Sequence, residues 1–183
     1  MVNYEIELRG LLNPDQRKKL EKFLVKNGKL IKKYKRTQWI FGLSHSKKID
    51  LRIKETNQNY EFSLKVGQLG KKSRREISIP FPKEKADEAL DFLKFLGKKD
   101  GLIAKRNASI YEYEKIEWAI VEVPGHSCYF EAEKIVSSEK DAKKAIEEIK
   151  SVARTLGLKL LNSKETIEYI KKLDKQANKL FKL

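Results

Sequence analysis

The sequence is short of thiols, imidazoles and long apolar runs. Its one cysteine, Cys128, excludes an internal disulfide framework and fits a reducing compartment. Its two histidines, His45 and His126, stand far apart and, with that lone thiol, offer no soft ligand cluster for zinc. No stretch approaches the roughly 18 apolar residues of a membrane span. The first residues read as a strand rather than as an apolar leader, so a cytoplasmic protein is expected. No repeat or linker divides the 183 residues, a length that suits one well-buried domain and hardly two.

What the sequence has in excess is charge. Lys and Arg number 41 against 26 Asp and Glu, and the resulting +15 favours a polyanionic partner: nucleic acid, a phosphorylated metabolite or an acidic membrane surface. Part of this excess falls on Lys-rich helices, where solubility alone would explain it.

The placement of charge is more telling than its amount. In Tyr4-Glu5-Ile6-Glu7-Leu8-Arg9, strand alternation puts Glu5, Glu7 and Arg9 on one face and Ile6 and Leu8 on the other. A strand with one solvated face has this pattern. Two carboxylates about 7 Å apart along a strand can equally share a divalent cation, with a guanidinium beside them for phosphate. The pattern recurs as Arg52 with Lys54, Ser63 with Lys65, Arg74 with Glu76 and Ser78, the bases Lys105 and Arg106, and Glu131 with Glu133. So many strands sorted in this way suggest a sheet closed around a charged interior, and an open sheet with one wet face explains the periodicity equally well. A closed version must be wet or filled by a polyanion, because unpaired buried charge is costly.

Elsewhere, Asn13-Pro14-Asp15 predicts a helix start and Asn27-Gly28 its stop. Strands are expected at 29–43, 49–54, 60–66, 73–79, 102–113, 116–123 and 128–136, with turns at Ser44-His45-Ser46 and near Asn57 and a loop at 67–70. Helices are expected at 82–96, from Ser138 to 156, and at 164–181. Trp39, Tyr34 and Phe41, amid Lys32, Lys33, Lys35 and Arg36, have the composition to stack bases beside phosphates. An aromatic core face on a twisted strand is the favoured reading. His126 is expected in a solvated turn, and Cys128 as a small strand residue.

In order and spacing these segments resemble the CYTH domain of the triphosphate tunnel metalloenzymes, which include class IV adenylyl cyclases, thiamine triphosphatases and inorganic triphosphatases. Glu5-Ile6-Glu7-Leu8-Arg9 is similar to the family's N-terminal Glu-x-Glu-x-Lys, with Arg for Lys. Leu51-Arg52-Ile53-Lys54 is similar to its Leu-Arg-Ile-Arg strand, Ser63-Leu64-Lys65 to its Thr-Leu-Lys, and Arg74-x-Glu76 to its Arg-x-Glu-x-Glu. Lys105-Arg106 is similar to its later basic pair, and Glu131-Ala132-Glu133 to its closing Glu-x-Glu.

The resemblance implies an α+β fold: an eight-stranded antiparallel closed β-barrel, or tunnel, with helices packed outside. Residues 1–183 would form one such domain, with 138–183 as C-terminal covering helices. It implies a triphosphate held by Arg9, Arg52, Lys54, Lys65, Arg74, Lys105 and Arg106. It also implies Mg2+ or Mn2+ held by Glu5, Glu7, Glu76, Glu131 and Glu133, with Glu5, Glu7 and Glu131 catalytic. The expected activity is hydrolysis of an inorganic, nucleoside or thiamine triphosphate. Cyclisation of ATP to cAMP is the alternative enzyme, and a polyphosphate- or RNA-binding module that lost turnover is the non-enzymatic alternative. The expected partner is a triphosphate-containing small molecule, with nucleic acid second and a homodimer as the default assembly. The chain departs from the family pattern at Val121, where an Asp is common, at Ser127 in place of a Gly, and at Ser78 in place of a Glu.

Overall fold

The computed structural model describes residues 4–41, 49–67 and 73–183, with the backbone alone at Ser73, Arg74 and Glu139. The turn expected at Ser44-His45-Ser46 and most of the loop at 67–70 lie outside these residues. In chain order the elements are β1 (Tyr4–Leu12), α1 (Pro14–Asn27), β2 (Lys29–Phe41), β3 (Ile49–Thr56), β4 (Asn59–Val66) and β5 (Ser73–Phe81). A short 3-10 turn leads into α2 (Ala86–Phe95), β6 (Asp100–Tyr113), β7 (Ile116–Val123) and β8 (Ser127–Val136). The chain ends with α3 (Glu139–Thr155), α4 (Ser163–Gln176) and β9 (Lys179–Lys182).

Local chemistry accounts for the element boundaries. Asn13 opens α1 with a capping box, its side chain accepting from Gln16 N while Gln16 reaches back to Asn13 N, and Pro14 takes the first turn, where no amide is needed. Asn162 and Glu165 repeat the device at α4. The β3–β4 hairpin turns at Asn57 and Gln58, both at positive φ, the mirror-image turn that matches strand twist.

The strand order is β2-β3-β4-β5-β1-β8-β7-β6, every pairing is antiparallel, and β2 also pairs with β6. The sheet therefore closes into an eight-stranded barrel with four helices outside. The open-sheet alternative is excluded by the β2–β6 ladder, which runs from Lys29↔Glu112 to Phe41↔Gly101.

Closure sorts the side chains. The outward apolar face of β1, β7 and β8, including Ile6, Leu8, Trp118 and Phe130, forms the main core with α1 and α3. Phe41 and Ile53 pack under Leu93 and Ala89 of α2. Gly10 is required by close approach: a Cβ there would meet Lys159 O at 2.1 Å and the Phe130 ring at 2.3 Å. That contact lets Leu161 N donate to Arg9 O along the outer edge of β1.

The helix expected to run to 181 stops at Gln176. Ala177 N and Asn178 N both donate to Leu173 O, and the chain turns to pair Lys179 to Lys182 with Ile103 to Asp100. Leu180, expected on the buried stripe, is paired with Leu102 and largely exposed. No helix among the described residues is long and apolar enough to cross a membrane.

Candidate active site

The barrel encloses a cavity of about 310 Å3, lined by all eight barrel strands and by α4. Alternation delivers the charged residues to it: Glu5, Glu7 and Arg9 from β1, Arg52 and Lys54 from β3, Lys65 from β4, Glu76 from β5, Arg106 from β6, and Glu131 and Glu133 from β8. Glu7 lies opposite Glu133, and Arg9 opposite Glu131.

Three carboxylates converge. Single oxygens of Glu5, Glu7 and Glu133 lie within 4.8 Å of one another, a set of hard oxygen donors suited to Mg2+ or Mn2+. The other two acids expected at a metal are not in this set, and they share its bases. Glu131 pairs with Arg9 at 2.8 Å. Glu76 accepts from Lys54 at 2.9 Å and from Ser63 at 2.8 Å.

The bases are held in an ion-pair network. Lys65 Nζ sits 2.6 Å from Glu5, 3.4 Å from Glu76 and 3.7 Å from Glu7. Arg9 joins Glu7 at 2.6 Å to Glu131, while its buried Nε has no acceptor among the described residues. Arg52 forks onto Asp50 at 2.8 and 2.5 Å and donates to Gln38 at 2.6 Å.

One expected phosphate ligand lies outside the cavity. Lys105 is exposed on the outer face. Adjacent residues of a strand point to opposite sides, so Lys105 and Arg106 cannot both face the tunnel. Arg74 lies opposite Glu5 in the ladder, and its side chain is outside the described part.

Charge in the tunnel is nearly balanced. The described lining carries seven basic residues (Arg9, Lys32, Arg36, Arg52, Lys54, Lys65, Arg106) and eight acidic ones (Glu5, Glu7, Glu61, Glu76, Glu117, Glu131, Glu133, Asp174), of which Glu5 and Glu133 are pushed toward the protonated form. The +15 of the chain is therefore carried outside this lining.

Crowded acids hold protons. Burial first, then a hydrogen bond with Glu76 and the charge of Glu7, push Glu5 up to about 10 against the pull of Lys65. Burial and then Glu7 push Glu133 up to about 7. Glu76 goes the other way: burial pushes it up, but the hydrogen bond with Glu5 and the charges of Lys65 and Lys54 hold it well below the usual carboxylate range. Of this pair, Glu5 is thus the one pushed toward the protonated form and Glu76 the one held ionised.

Several lining positions were not singled out as site residues in the sequence. β2 contributes Lys32, Tyr34, Arg36 and Gln38 to the lining, with the Arg36 guanidinium 4.2 Å from the Tyr34 ring centre. Their i, i+2 spacing was the available signal. Trp39 and Phe41 face the other way, toward α2. Asp50, Glu61, Glu117 and the α4 residues also had no distinguishing motif. Val121, where the family commonly has Asp, is buried in the tunnel wall with Tyr129, Tyr169 and Leu173. Ser127 joins Tyr169 of α4 at 2.9 Å and His126 at 2.8 Å, and His126 reaches Gln176 at 3.3 Å.

No protein-family model matches the sequence, and no curated protein matches it. Solved structures do. The PH1819 protein of Pyrococcus horikoshii OT3 superposes with a TM-score of 0.73 at 22% identity, covering 92% of this chain and 98% of that one. A candidate adenylate cyclase from Vibrio parahaemolyticus gives 0.67 at 15% identity, covering 94% and 99%. A candidate adenylyl cyclase from Hippeastrum, described as having a dominant triphosphatase activity, gives 0.59 at 17% identity, covering 86% and 89%. These likenesses and the closed ladder give the same architecture, and the chain has the CYTH-like tunnel fold.

Proposed function

We propose that the chain is a metal-dependent enzyme that binds a triphosphate in the tunnel and hydrolyses it. The observation that carries this reading is the Glu5, Glu7 and Glu133 cluster beside Lys65, Arg9 and Arg52 within one enclosed cavity. With Glu5 pushed toward its protonated form and the other acids set against seven bases, the metal-free lining is close to neutral and offers an incoming polyanion little net attraction. A divalent ion on the three carboxylates would take the place of the protons held there and present its own charge to the phosphates, and Mg2+ or Mn2+ fits their oxygen donors. When bound, it would neutralise charge on the transferring phosphoryl group.

The remaining chemistry belongs to the side chains. Arg9, which lines the cavity between Glu7 and Glu131, would turn guanidinium donors to a phosphate oxygen. Arg52 and Arg106 supply planar donors, and Lys54 and Lys65 supply point charges. Cleavage in such a cradle is largely positioning and charge neutralisation, with water as the nucleophile. The triphosphatase activity described for the Hippeastrum neighbour supports hydrolysis. Cyclisation of ATP is the second reading, favoured by the cyclase descriptions of that neighbour and of the Vibrio one.

The test is phosphate release from inorganic triphosphate, ATP and thiamine triphosphate with Mg2+ or Mn2+, with EDTA as control and cAMP measured alongside. Metal-dependent phosphate release is expected. Formation of cAMP without phosphate release would select the cyclase, and saturable binding with neither product would leave a binding module.

A further inference from the structure

The C-terminal segment sends a polar chain into the tunnel. Arg106 on β6 is buried, and its Nη2 donates to Asn178 Oδ1 at 3.1 Å. Asn178 Nδ2 donates in turn to Asp174 Oδ1 at 2.9 Å, and both Asp174 and Asn178 face the cavity. The orientation of the amide is determined, because a carboxylate only accepts: Nδ2 must face Asp174, which leaves Oδ1 for Arg106.

The backbone fixes this chain in place. Asn178 N donates to Leu173 O at 2.9 Å, and the next residue, Lys179, enters the β6–β9 ladder opposite Ile103. β9 therefore docks on the strand that carries Arg106, immediately upstream of it. A helix continued to 181 would not form that ladder.

Arg106 differs from the other tunnel bases expected to hold phosphate. Arg9, Arg52, Lys54 and Lys65 each pair with a carboxylate. Among the described residues Arg106 has no carboxylate partner; its bonds go to neutral oxygens, the Asn178 amide and Lys105 O at 2.6 Å. Its charge is oriented without a direct ion pair among the described residues, the carboxylate of Asp174 standing one amide away.

We propose that Asn178, oriented by Asp174, is a positioning residue that holds the Arg106 guanidinium free of a direct carboxylate partner for a phosphate group in the tunnel. This rests on the triphosphate reading of the cavity. An amide suits the task better than a carboxylate, which would bind Arg106 as tightly and compete with the phosphate for it.

The test is calorimetric binding of imidotriphosphate, whose P–N–P bridges resist hydrolysis, with Mg2+ and the full chain. N178A should raise Kd about tenfold, the scale of one hydrogen bond to a charged group. N178D should raise it at least as much although it keeps an oxygen for Arg106, because the new carboxylate pairs with the guanidinium and competes with the phosphate. R106A/N178A should bind no more weakly than R106A, because Asn178 acts through that guanidinium. Circular dichroism melts establish folding. If N178A does not fold, D174N, which loosens the relay without altering the ladder, should weaken binding in the same direction. Wild-type affinity in both N178A and D174N, or additivity with R106A, overturns the proposal. If the wild type does not bind imidotriphosphate, the reading of the tunnel falls, and this assignment falls with it.

Discussion

Binding of Mn2+ at Glu5, Glu7 and Glu133 should expel protons and strengthen as pH rises. Without metal at pH 7, Glu5, raised to about 10, keeps its proton, and Glu133, raised to about 7, keeps one in about half of the molecules. A metal takes carboxylates as anions and so displaces these protons. An ion engaging both acids should release between one and two protons, roughly one from Glu5 and half from Glu133. The sign follows from the direction of the shifts: protons compete with the metal below the raised values, so affinity falls with acid and rises toward alkaline pH. Each obligatory proton contributes about tenfold in affinity per pH unit. Titration calorimetry at pH 7 in two buffers of different ionisation enthalpy counts the protons directly. E133Q should reduce the count and weaken binding. Saturable Mn2+ binding with no proton release would refute the reasoning, since the acids would then be ionised already or the ion would sit elsewhere.

Three further outcomes follow from the packing. R9M removes the partner shared by Glu7 and Glu131, which are 15% and 19% exposed. Breaking a buried pair costs about 3–5 kcal/mol. Partial solvation and the nearby Lys65 reduce this to about 2–3 kcal/mol, so calorimetry at pH 7 should show a melting point lower by roughly 5–10 °C. G10A should destabilise by about 2–3 kcal/mol in urea unfolding, because its methyl meets the Lys159 carbonyl and the Phe130 ring. V121D should not behave as a restored ligand: Val121 is 1% exposed among apolar and aromatic groups. A carboxylate there should lower metal-free stability by about 2 kcal/mol or more in the same urea assay.

Much of the fold was legible because closure of the barrel reverses the usual sorting of polar and apolar faces. Charges at Glu5, Glu7, Arg52, Lys54, Lys65, Glu131 and Glu133 recur every second residue on the same side of their strands, and these residues line the cavity. Adjacent bases were less informative. Lys105 and Arg106 read as a pair, although the strand period places only one of them inside. β9 was hidden because Leu173, Ala177 and Leu180 continue a helical stripe; the strand forms through pairing with β6, which sequence periodicity does not register. The inward face of β2 was obscured by the irregularity between Leu30 and Lys32, which interrupts the alternation leading to Tyr34 and Arg36. The relay through Asn178 depends on two distant segments meeting, and no local motif announces it.

The most direct test of the account is Mn2+ anomalous diffraction from crystals grown with imidotriphosphate. An anomalous peak within coordination distance of Glu5, Glu7 and Glu133, with the phosphates against Arg9, Arg52, Lys65 and Arg106, is the predicted result. Manganese bound away from these carboxylates, or phosphates outside the barrel, would contradict it.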